Sequence, residues 1–173
     1  MKQYSNRMVI IHWLTLLLLI VAWYFGHELD EARHEAGATL AGYIAHSLVG
    51  GTLLLLTVLR LYFRSKDGTP PAMGDTLIDK VAKGVHHGLY GLLLLVPVSG
   101  MMTIITSDVS KALQAGDATL LPKKFTGVPA HDVHEVLVTV LIVVTVVHLL
   151  GAIWHQFIIK DGLIGRMSFI RKD

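Results

Sequence analysis

The sequence contains no cysteine, and this absence excludes several kinds of site at once. Disulfide bonds, Cys-bound zinc, iron–sulfur clusters and covalently attached c-type haem all require thiols. Charge is also scarce, since 16% of the residues are charged and 53% are hydrophobic. Soluble domains carry about 25% charged residues, so this composition excludes a disordered chain and argues against a soluble domain. The formal net charge of +2 is too small to indicate a nucleic-acid partner.

Four long stretches contain no Asp, Glu, Lys or Arg: Met8–His27, Ala36–Leu59, Gly84–Ser107 and Val136–Ile159. Each is long enough for a helix to cross about 30 Å of hydrocarbon, where backbone groups must be hydrogen-bonded within the segment. A soluble helical bundle, the alternative, would need polar helix faces that these stretches lack. The first stretch is longer than the apolar core of a secretion signal, so we expect a retained helix. We predict an all-α integral membrane four-helix bundle, a single transmembrane domain over residues 1–173 with helices at about 8–28, 37–64, 82–107 and 130–159.

Lysine and arginine are distributed unevenly over the segments that connect these helices. Eleven of the 15 lie at the N-terminus, between the second and third helices, or in the C-terminal tail: Lys2, Arg7, Arg60, Arg64, Lys66, Lys80, Lys83, Lys160, Arg166, Arg171 and Lys172. The other two connections hold Arg33, Lys111, Lys123 and Lys124, among most of the acidic residues. Because cytoplasmic loops of membrane proteins are rich in Lys and Arg, we predict that both termini lie in the cytoplasm.

Histidine is the ionisable residue that remains inside the apolar stretches. His12, His46, His86, His87, His148 and His155 lie within them, and His134 lies one turn before the fourth. Ionisable side chains in a membrane are costly, so each is a functional hypothesis by default. His134 and His148 are 14 residues apart, which is about 21 Å and nearly four turns of a helix. Both imidazoles should therefore leave the same face of the fourth helix.

Two other helices offer histidines at matching depths. His12 lies early in the first helix, near the cytoplasmic side, and His46 lies early in the second, near the opposite side. The expected pairs are His12 with His148 and His46 with His134. Two bis-imidazole sites in a four-helix bundle are what two b-type haems require. The alternative is that these histidines only form hydrogen bonds between helices.

Glycines lie beside two of these histidines. Gly50 and Gly51 come one turn after His46, and Gly151 comes nearly one turn after His148. Small residues let a flat cofactor, or another helix, approach the backbone closely. They are therefore compatible with haem packing, and equally with simple helix packing.

Short motifs follow one another along almost the whole chain: Arg7, His12-Trp13, His46 with Gly50, Arg60 and Arg64, Thr69-Pro70-Pro71, His86 with Tyr90, Pro97-Val98-Ser99-Gly100, His134, His148 and His155. In order and spacing they resemble the bacterial cytochrome b-561 family of small four-helix dihaem proteins. The resemblance implies a location in the bacterial inner membrane. It also implies axial haem ligation by His12 and His148 on the cytoplasmic side, and by His46 and His134 on the periplasmic side.

The same resemblance implies electron transfer between a periplasmic-side donor and a membrane quinone, ubiquinone or another. One member of the family oxidises superoxide and passes the electron to ubiquinone, so a superoxide:quinone oxidoreductase is one expectation. Relatives serve as cytochrome subunits of hydrogenases and other dehydrogenases. The alternative is therefore a membrane anchor and electron conduit for such a partner enzyme.

Several cationic and histidine side chains have two interpretations each. Arg60 follows His46 by 14 residues, so it should lie on the same helix face, either pairing a haem propionate or anchoring the helix at the cytoplasmic surface. His86, His87 and His155, with Lys83, are candidates for a quinone site, because histidine can hydrogen-bond a carbonyl and transfer protons. The alternative is that they face lipid headgroups, and adjacent His86 and His87 cannot both face the bundle.

Three lysines stand on the otherwise acidic periplasmic side: Lys111, Lys123 and Lys124. A cationic patch near the periplasmic haem would raise the encounter rate of a small anion such as superoxide. The alternative is that they are ordinary solvated loop lysines.

Overall fold

The structure is a computed structural model, and it describes residues 2–35, 37–71 and 74–170. Ala36, at the start of the second apolar stretch, and the cations Arg171 and Lys172 of the tail lie outside the described residues. No strand occurs in the described ranges, and most of their residues are helical. The prediction of an all-α protein is therefore confirmed.

Four long helices and one short helix make up the fold: α1 (Asn6–His34), α2 (Leu40–Asp67), α3 (Leu77–Ile105), α4 (Val109–Ala115) and α5 (Pro129–Trp154). The four long helices are all long and apolar enough to cross a membrane. A proline at the first position starts α5, where its missing N–H costs nothing. Thr76 and Asp79 form a reciprocal capping box that starts α3.

Helix α1 continues past its apolar run to His34. The extension carries ion pairs one turn apart, Arg33 with Asp30 and His27 with Glu31. Such pairs stabilise a helix that has already been nucleated in the membrane. Helix α2 ends at Asp67, and Gly68 follows in the left-handed region with a φ of 71°.

The bundle consists of two closely packed helix pairs. Helix α1 packs along α2, helix α3 packs along α5, and α2 joins the two pairs by packing against α3. In contrast, α1 and α2 have little close backbone contact with α5. A space therefore separates α5 from α1 and α2 along the middle of the bundle.

The two ends of the bundle differ in charge. We call the end with residues 28–35, 37–39 and 106–132 the acidic end, and the end with residues 2–7, 60–71, 74–83 and 160–170 the basic end. Helix α4 covers the acidic end, where Val109 and Ala112 are fully buried. At the basic end the C-terminal segment folds back over the bundle, since the Trp13 indole donates a hydrogen bond to the Met167 carbonyl at 2.9 Å.

Candidate cofactor site

The structure brings the four histidines of the predicted sites together in two pairs. The ring centres of His12 and His148 are 6.3 Å apart, and those of His46 and His134 are also 6.3 Å apart. We call the first the basic-end pair and the second the acidic-end pair. In each pair the rings are nearly perpendicular, at 78° and 89°. Each pair joins one helix of the α1–α2 unit to α5, across the space described above.

The ring separation matches two imidazoles that bind one metal ion from opposite sides. A metal–imidazole bond is about 2 Å long and a ring centre lies about 1 Å from its nitrogen, so the two ring centres should be about 6 Å apart. His86 also contacts His148, but their ring centres are 5.1 Å apart. That separation is too short for a metal between them. The distances therefore favour His12 as the partner of His148.

Backbone carbonyl groups hold both rings of the acidic-end pair. The His46 Nδ1 lies 3.1 Å from the Ala22 carbonyl oxygen, and the His134 Nδ1 lies 2.9 Å from the Val96 carbonyl oxygen. A carbonyl only accepts, so each Nδ1 carries the proton and each Nε2 keeps its lone pair. A metal-binding histidine is commonly oriented in this way.

Glycines make these two carbonyls accessible. Gly26 lies four residues after Ala22 and Gly100 four residues after Val96, next to the carbonyl in each helix. A Cβ at Gly26 would lie 3.1 Å from the His46 Cε1, and one at Gly100 would lie 3.0 Å from the His134 Cε1. Any larger residue would therefore push the imidazole away from its acceptor.

The motif Pro97-Val98-Ser99-Gly100 has a structural role at this place. Pro97 lies inside α3 and cannot donate a backbone hydrogen bond to the preceding turn. The Ser99 hydroxyl donates to the Val96 carbonyl at 2.8 Å and lies 3.0 Å from the His134 Nδ1. The sequence analysis did not identify Ala22, Gly26, Val96, Ser99 or Gly100 as site residues. A glycine four residues after an apolar residue, in two separate helices, was the available signal.

The basic-end pair has different surroundings. Within the described residues, neither His12 nor His148 forms a hydrogen bond to a protein group. Their neighbours are side chains: His86 contacts His148, and Arg60 lies close enough to both imidazoles to act on their charge. The Arg60 Nε donates to the Tyr90 hydroxyl at 3.0 Å. This contact orients the guanidinium group on the bundle side of α2.

The residues around the two pairs fit a b-type haem. The donors are paired neutral imidazoles, no thiol is present in the chain, and a Cβ at Gly50 would meet no atom within 4 Å. Between the two pairs, Leu141 lies seven residues from both His134 and His148 and is 3% exposed. An apolar layer on the inward face of α5 therefore separates the two sites.

The quinone candidates do not all lie together. His86 contacts the inner His148, and its Nδ1 lies 2.7 Å from the Ala82 carbonyl oxygen of its own helix. Both His86 and the adjacent His87 are exposed. His155 lies in one turn of π-helix after α5 and contacts Asp161. Lys83 is exposed on α3 and lies, like His155, near Asp79.

The three lysines of the acidic end differ in their contacts. The Lys111 ammonium donates to Asp108 at 2.6 Å, and this hydrogen bond raises the pKa of Lys111 above its usual value. Its charge is therefore partly offset. Lys124 lines an open cleft of about 360 Å³ together with Lys111 and Phe125. Lys123 is exposed beside it.

Comparison with known proteins gives matches over the full bundle. The family of prokaryotic cytochrome b561 matches residues 3–169. The chain is 30% identical over 168 residues to cytochrome b562 of Cereibacter sphaeroides, which covers 95% of this chain and 94% of that protein. It is 27% identical over 180 residues to the Yersinia pestis protein named "Probable superoxide oxidase CybB", with 96% of each chain covered. The matched range therefore spans all four long helices and the positions of both histidine pairs.

Proposed function

This chain belongs to the prokaryotic cytochrome b561 family, whose members are electron carriers of bacterial membranes with b-type haem, and from that premise we propose that it transfers electrons from a donor at the acidic end to a membrane quinone at the basic end. In this proposal the protein lies in the bacterial inner membrane. Its acidic end faces the periplasm, and both termini lie in the cytoplasm. The excess of Lys and Arg at the basic end supports this orientation.

The proposal assigns one haem to each histidine pair. His46 and His134 hold the haem near the donor, and His12 and His148 hold the haem near the quinone. Each haem, when bound, supplies a one-electron carrier. The observation that carries the assignment is the equal 6.3 Å separation of the two ring pairs, which suits two imidazoles on one metal ion.

Other side chains adjust the basic-end site. We assign to Arg60 a pairing role toward a haem propionate, because its Nε is held by Tyr90 and its two terminal nitrogens form the fork that binds a carboxylate. His86, His155 and Lys83 are the residues that we assign to the quinone, and His87 is the weakest candidate because it faces away from the pair. Histidines near a quinone carbonyl can donate hydrogen bonds and protons.

At the acidic end the donor reacts without binding the metal. With His46 and His134 as its ligands, the haem iron would have no position left to bind oxygen or superoxide. Lys123 and Lys124 would attract a small anion such as superoxide to this end. The superoxide activity in the name of the Yersinia relative is consistent with that use of the surface.

The first test is the absorption spectrum and haem content of the purified protein. We expect a reduced b-type α-band and two haems per chain. A haem-replete preparation without that band would contradict the whole proposal, and one haem per chain would contradict the assignment of two sites.

The second test is a pulse of superoxide given to the oxidised protein in membranes that contain ubiquinone. We expect rapid reduction of the protein followed by formation of ubiquinol. The double variant Lys123→Gln/Lys124→Gln should slow the first step a few-fold at low salt, because steering by surface charge is screened by ions. Lys80→Gln, at the basic end, is the matched control and should leave that step unchanged. A protein that exchanges electrons with quinone but not with superoxide would instead favour a conduit that serves a partner dehydrogenase.

A further inference from the structure

His155 and Asp161 form a largely buried side-chain pair outside the residues assigned to the haems. The His155 Nδ1 lies 2.6 Å from the Asp161 Oδ2, and the Asp161 Oδ1 accepts the Leu163 N–H at 2.9 Å. Both side chains are largely buried, with 17% and 18% of their surfaces exposed. Both carboxylate oxygens of Asp161 are therefore engaged, and the carboxylate has a fixed orientation.

The backbone around this pair is unusual and serves to bring the two residues together. Helix α5 ends in one turn of π-helix, a geometry that often occurs at functional positions. Lys160 follows with a φ of 58° and Gly162 with a φ of 73°. Lys160 is the one non-glycine residue with a positive φ in the described ranges, a backbone conformation that L-residues rarely adopt. The turn reverses the chain, so that Asp161 comes back onto His155.

The contact with Asp161 determines which nitrogen of His155 is available for chemistry. A carboxylate accepts, so the His155 Nδ1 carries a proton and the Nε2 points away from Asp161. Although burial opposes it, the hydrogen bonds from His155 and Leu163 keep the pKa of the Asp161 carboxyl below its usual value, with Arg166 nearby. Asp161 is therefore charged near neutral pH, and its carboxylate accepts the hydrogen bond from the His155 Nδ1.

The pair lies on the path between the basic-end surface and the inner histidines. His155 follows His148 by seven residues, which is two turns and about 10 Å further along the same side of the helix. On α3, Asp79 lies near His155, and Lys83 lies near Asp79. The C-terminal segment, which carries Asp161 and Arg166, covers this end of the bundle.

We propose that Asp161 is a positioning residue that holds His155 as the proton donor for quinone reduction at the basic end. This inference rests on the proposed function, because it needs quinone as the electron acceptor. The protons are the one reactant that the haem-binding residues do not supply. His155 and Asp161 would supply them from the cytoplasmic water at the basic end.

The overall step balances as follows. A quinone takes two electrons, one from each of two one-electron donors that are oxidised at the acidic end. Its two carbonyl oxygens each gain one proton, which gives a hydroquinone. His155 gives a proton from Nε2 to a quinone oxygen, recovers one from water while Asp161 stabilises its charged form, and then gives the second. With superoxide as the donor, two superoxide ions become two molecules of oxygen.

The test compares Asp161→Asn with Asp161→Glu in the full-length haem-loaded protein in ubiquinone-containing nanodiscs. An asparagine oxygen still accepts the Leu163 N–H, but its amide group donates to the His155 Nδ1 and forces the other tautomer. We expect ubiquinol formation to slow about tenfold or more, while haem reduction by the donor stays unchanged. We also expect the pH–rate profile of ubiquinol formation to change. Asp161→Glu, which keeps the charge, should recover the rate to within about threefold.

Asp117→Asn is the matched control. Asp117 also accepts hydrogen bonds from its own turn, through the Thr119 N–H at 2.8 Å, but it lies at the acidic end. Asp117→Asn should leave both haem reduction by the donor and ubiquinol formation unchanged. A readout independent of turnover is the ¹⁵N spectrum of histidine-labelled protein, in which His155→Gln identifies the His155 signals. Asp161→Asn should exchange the protonated and unprotonated nitrogens of that ring.

The outcomes separate this inference from the function on which it rests. If Asp161→Asn makes ubiquinol at the normal rate with a normal pH profile, the positioning role is wrong and the quinone reductase stands. If Asp161→Glu is as slow as Asp161→Asn, the residue acts through its shape rather than its charge, and the inference also fails. If the unmodified protein is reduced by the donor but forms no ubiquinol, the proposed acceptor is wrong, and this inference is overturned with it.

Discussion

The two histidine pairs have the same ring separation, yet the protein builds them in different ways. The acidic-end pair is held by main-chain atoms, because the carbonyls of Ala22 and Val96 accept hydrogen bonds from its two imidazoles. The basic-end pair has no such bonds among the described residues and is surrounded by the side chains of His86 and Arg60. One site is thus oriented by helix backbones, and the other by groups that carry or acquire charge.

This difference indicates how each site responds to its environment. Carbonyl groups in a helix neither titrate nor change rotamer, so they hold both acidic-end imidazoles in one orientation. The surroundings of the basic-end pair include a guanidinium and a third imidazole, which act on the charge of the site. Under the proposed function, the acidic end would provide a constant electron entry point, and the basic end would couple electrons to protons.

The largest expected effect comes from removal of a ligand. His46→Ala or His134→Ala should leave one haem per chain, and so should His12→Ala or His148→Ala, because each pair needs both imidazoles. Haem content by the pyridine haemochrome method, with the midpoint potential of the remaining haem, tells which site was lost. His27→Ala, a histidine stacked on Trp23 at the acidic end, is the control and should retain two. Two haems in any of the four ligand variants would remove that histidine from the assignment.

The next effect tests the role of glycine at the acidic end. Gly100→Ala places a methyl group about 3 Å from the His134 Cε1, so the ring must shift by a few tenths of an ångström relative to its carbonyl acceptor. We expect haem retention at this site to weaken about tenfold, or about 1.4 kcal/mol, with the basic-end haem unaffected.

Gly88→Ala is the matched control for this variant. Gly88 lies on the same helix as Gly100, but a Cβ at Gly88 would meet no atom within 4 Å. Alanine is the better helix former, so this change should be neutral or slightly stabilising. Equal losses of haem in the two variants would mean that the close approach at Gly100 does not orient the imidazole.

A smaller effect tests the charge around the basic-end pair. Arg60→Gln removes a cation that favours the reduced form of the nearby haem, so the midpoint potential of that haem should fall by about 50 mV. The acidic-end potential should stay constant. Arg64→Gln is one turn further out on α2 and should give a smaller shift. A potential that moves at the acidic end instead would reverse the assignment of the two sites.

The smallest effect concerns a single hydroxyl. Ser99→Ala leaves the Val96 carbonyl as the acceptor for the His134 Nδ1 and removes the second oxygen beside it. We expect the midpoint potential of the acidic-end haem to shift by about 20 mV and that of the other haem to stay constant, since a backbone hydrogen bond still holds the ring. Thr103→Val, which loses a hydroxyl bonded to its own helix at the Ser99 carbonyl, provides the baseline. Potentiometric titration with optical detection resolves both haems.

Much of the fold could be predicted from the charge-free stretches, because a helix that crosses a membrane needs an apolar stretch of matching length. The fourteen-residue interval between His134 and His148 was also informative. In a straight helix, the number of residues between two side chains determines the angle between them and their separation along the axis. The structure places these two imidazoles opposite His46 and His12, as that interval predicted. Their ligation of haem remains a prediction.

The groups around the imidazoles were not predictable in the same way. The acceptors at Ala22 and Val96 are backbone oxygens, which every residue has, so no residue type marks them. The contact of His155 with Asp161 depends on a π-turn and on the positive φ of Lys160. Both features come from tertiary packing of the C-terminal segment rather than from a local sequence pattern.

Helix α5 contributes one imidazole to each pair, and this has a consequence for biosynthesis. A ribosome makes α1, α2 and α3 first, and a chain of that length contains His12 and His46 but neither of their partners. In the proposed arrangement neither haem can gain its second ligand until the last helix has entered the membrane. Cofactor capture is then the closing event of assembly, and a prematurely terminated chain would carry no complete redox centre with which to produce unwanted radicals.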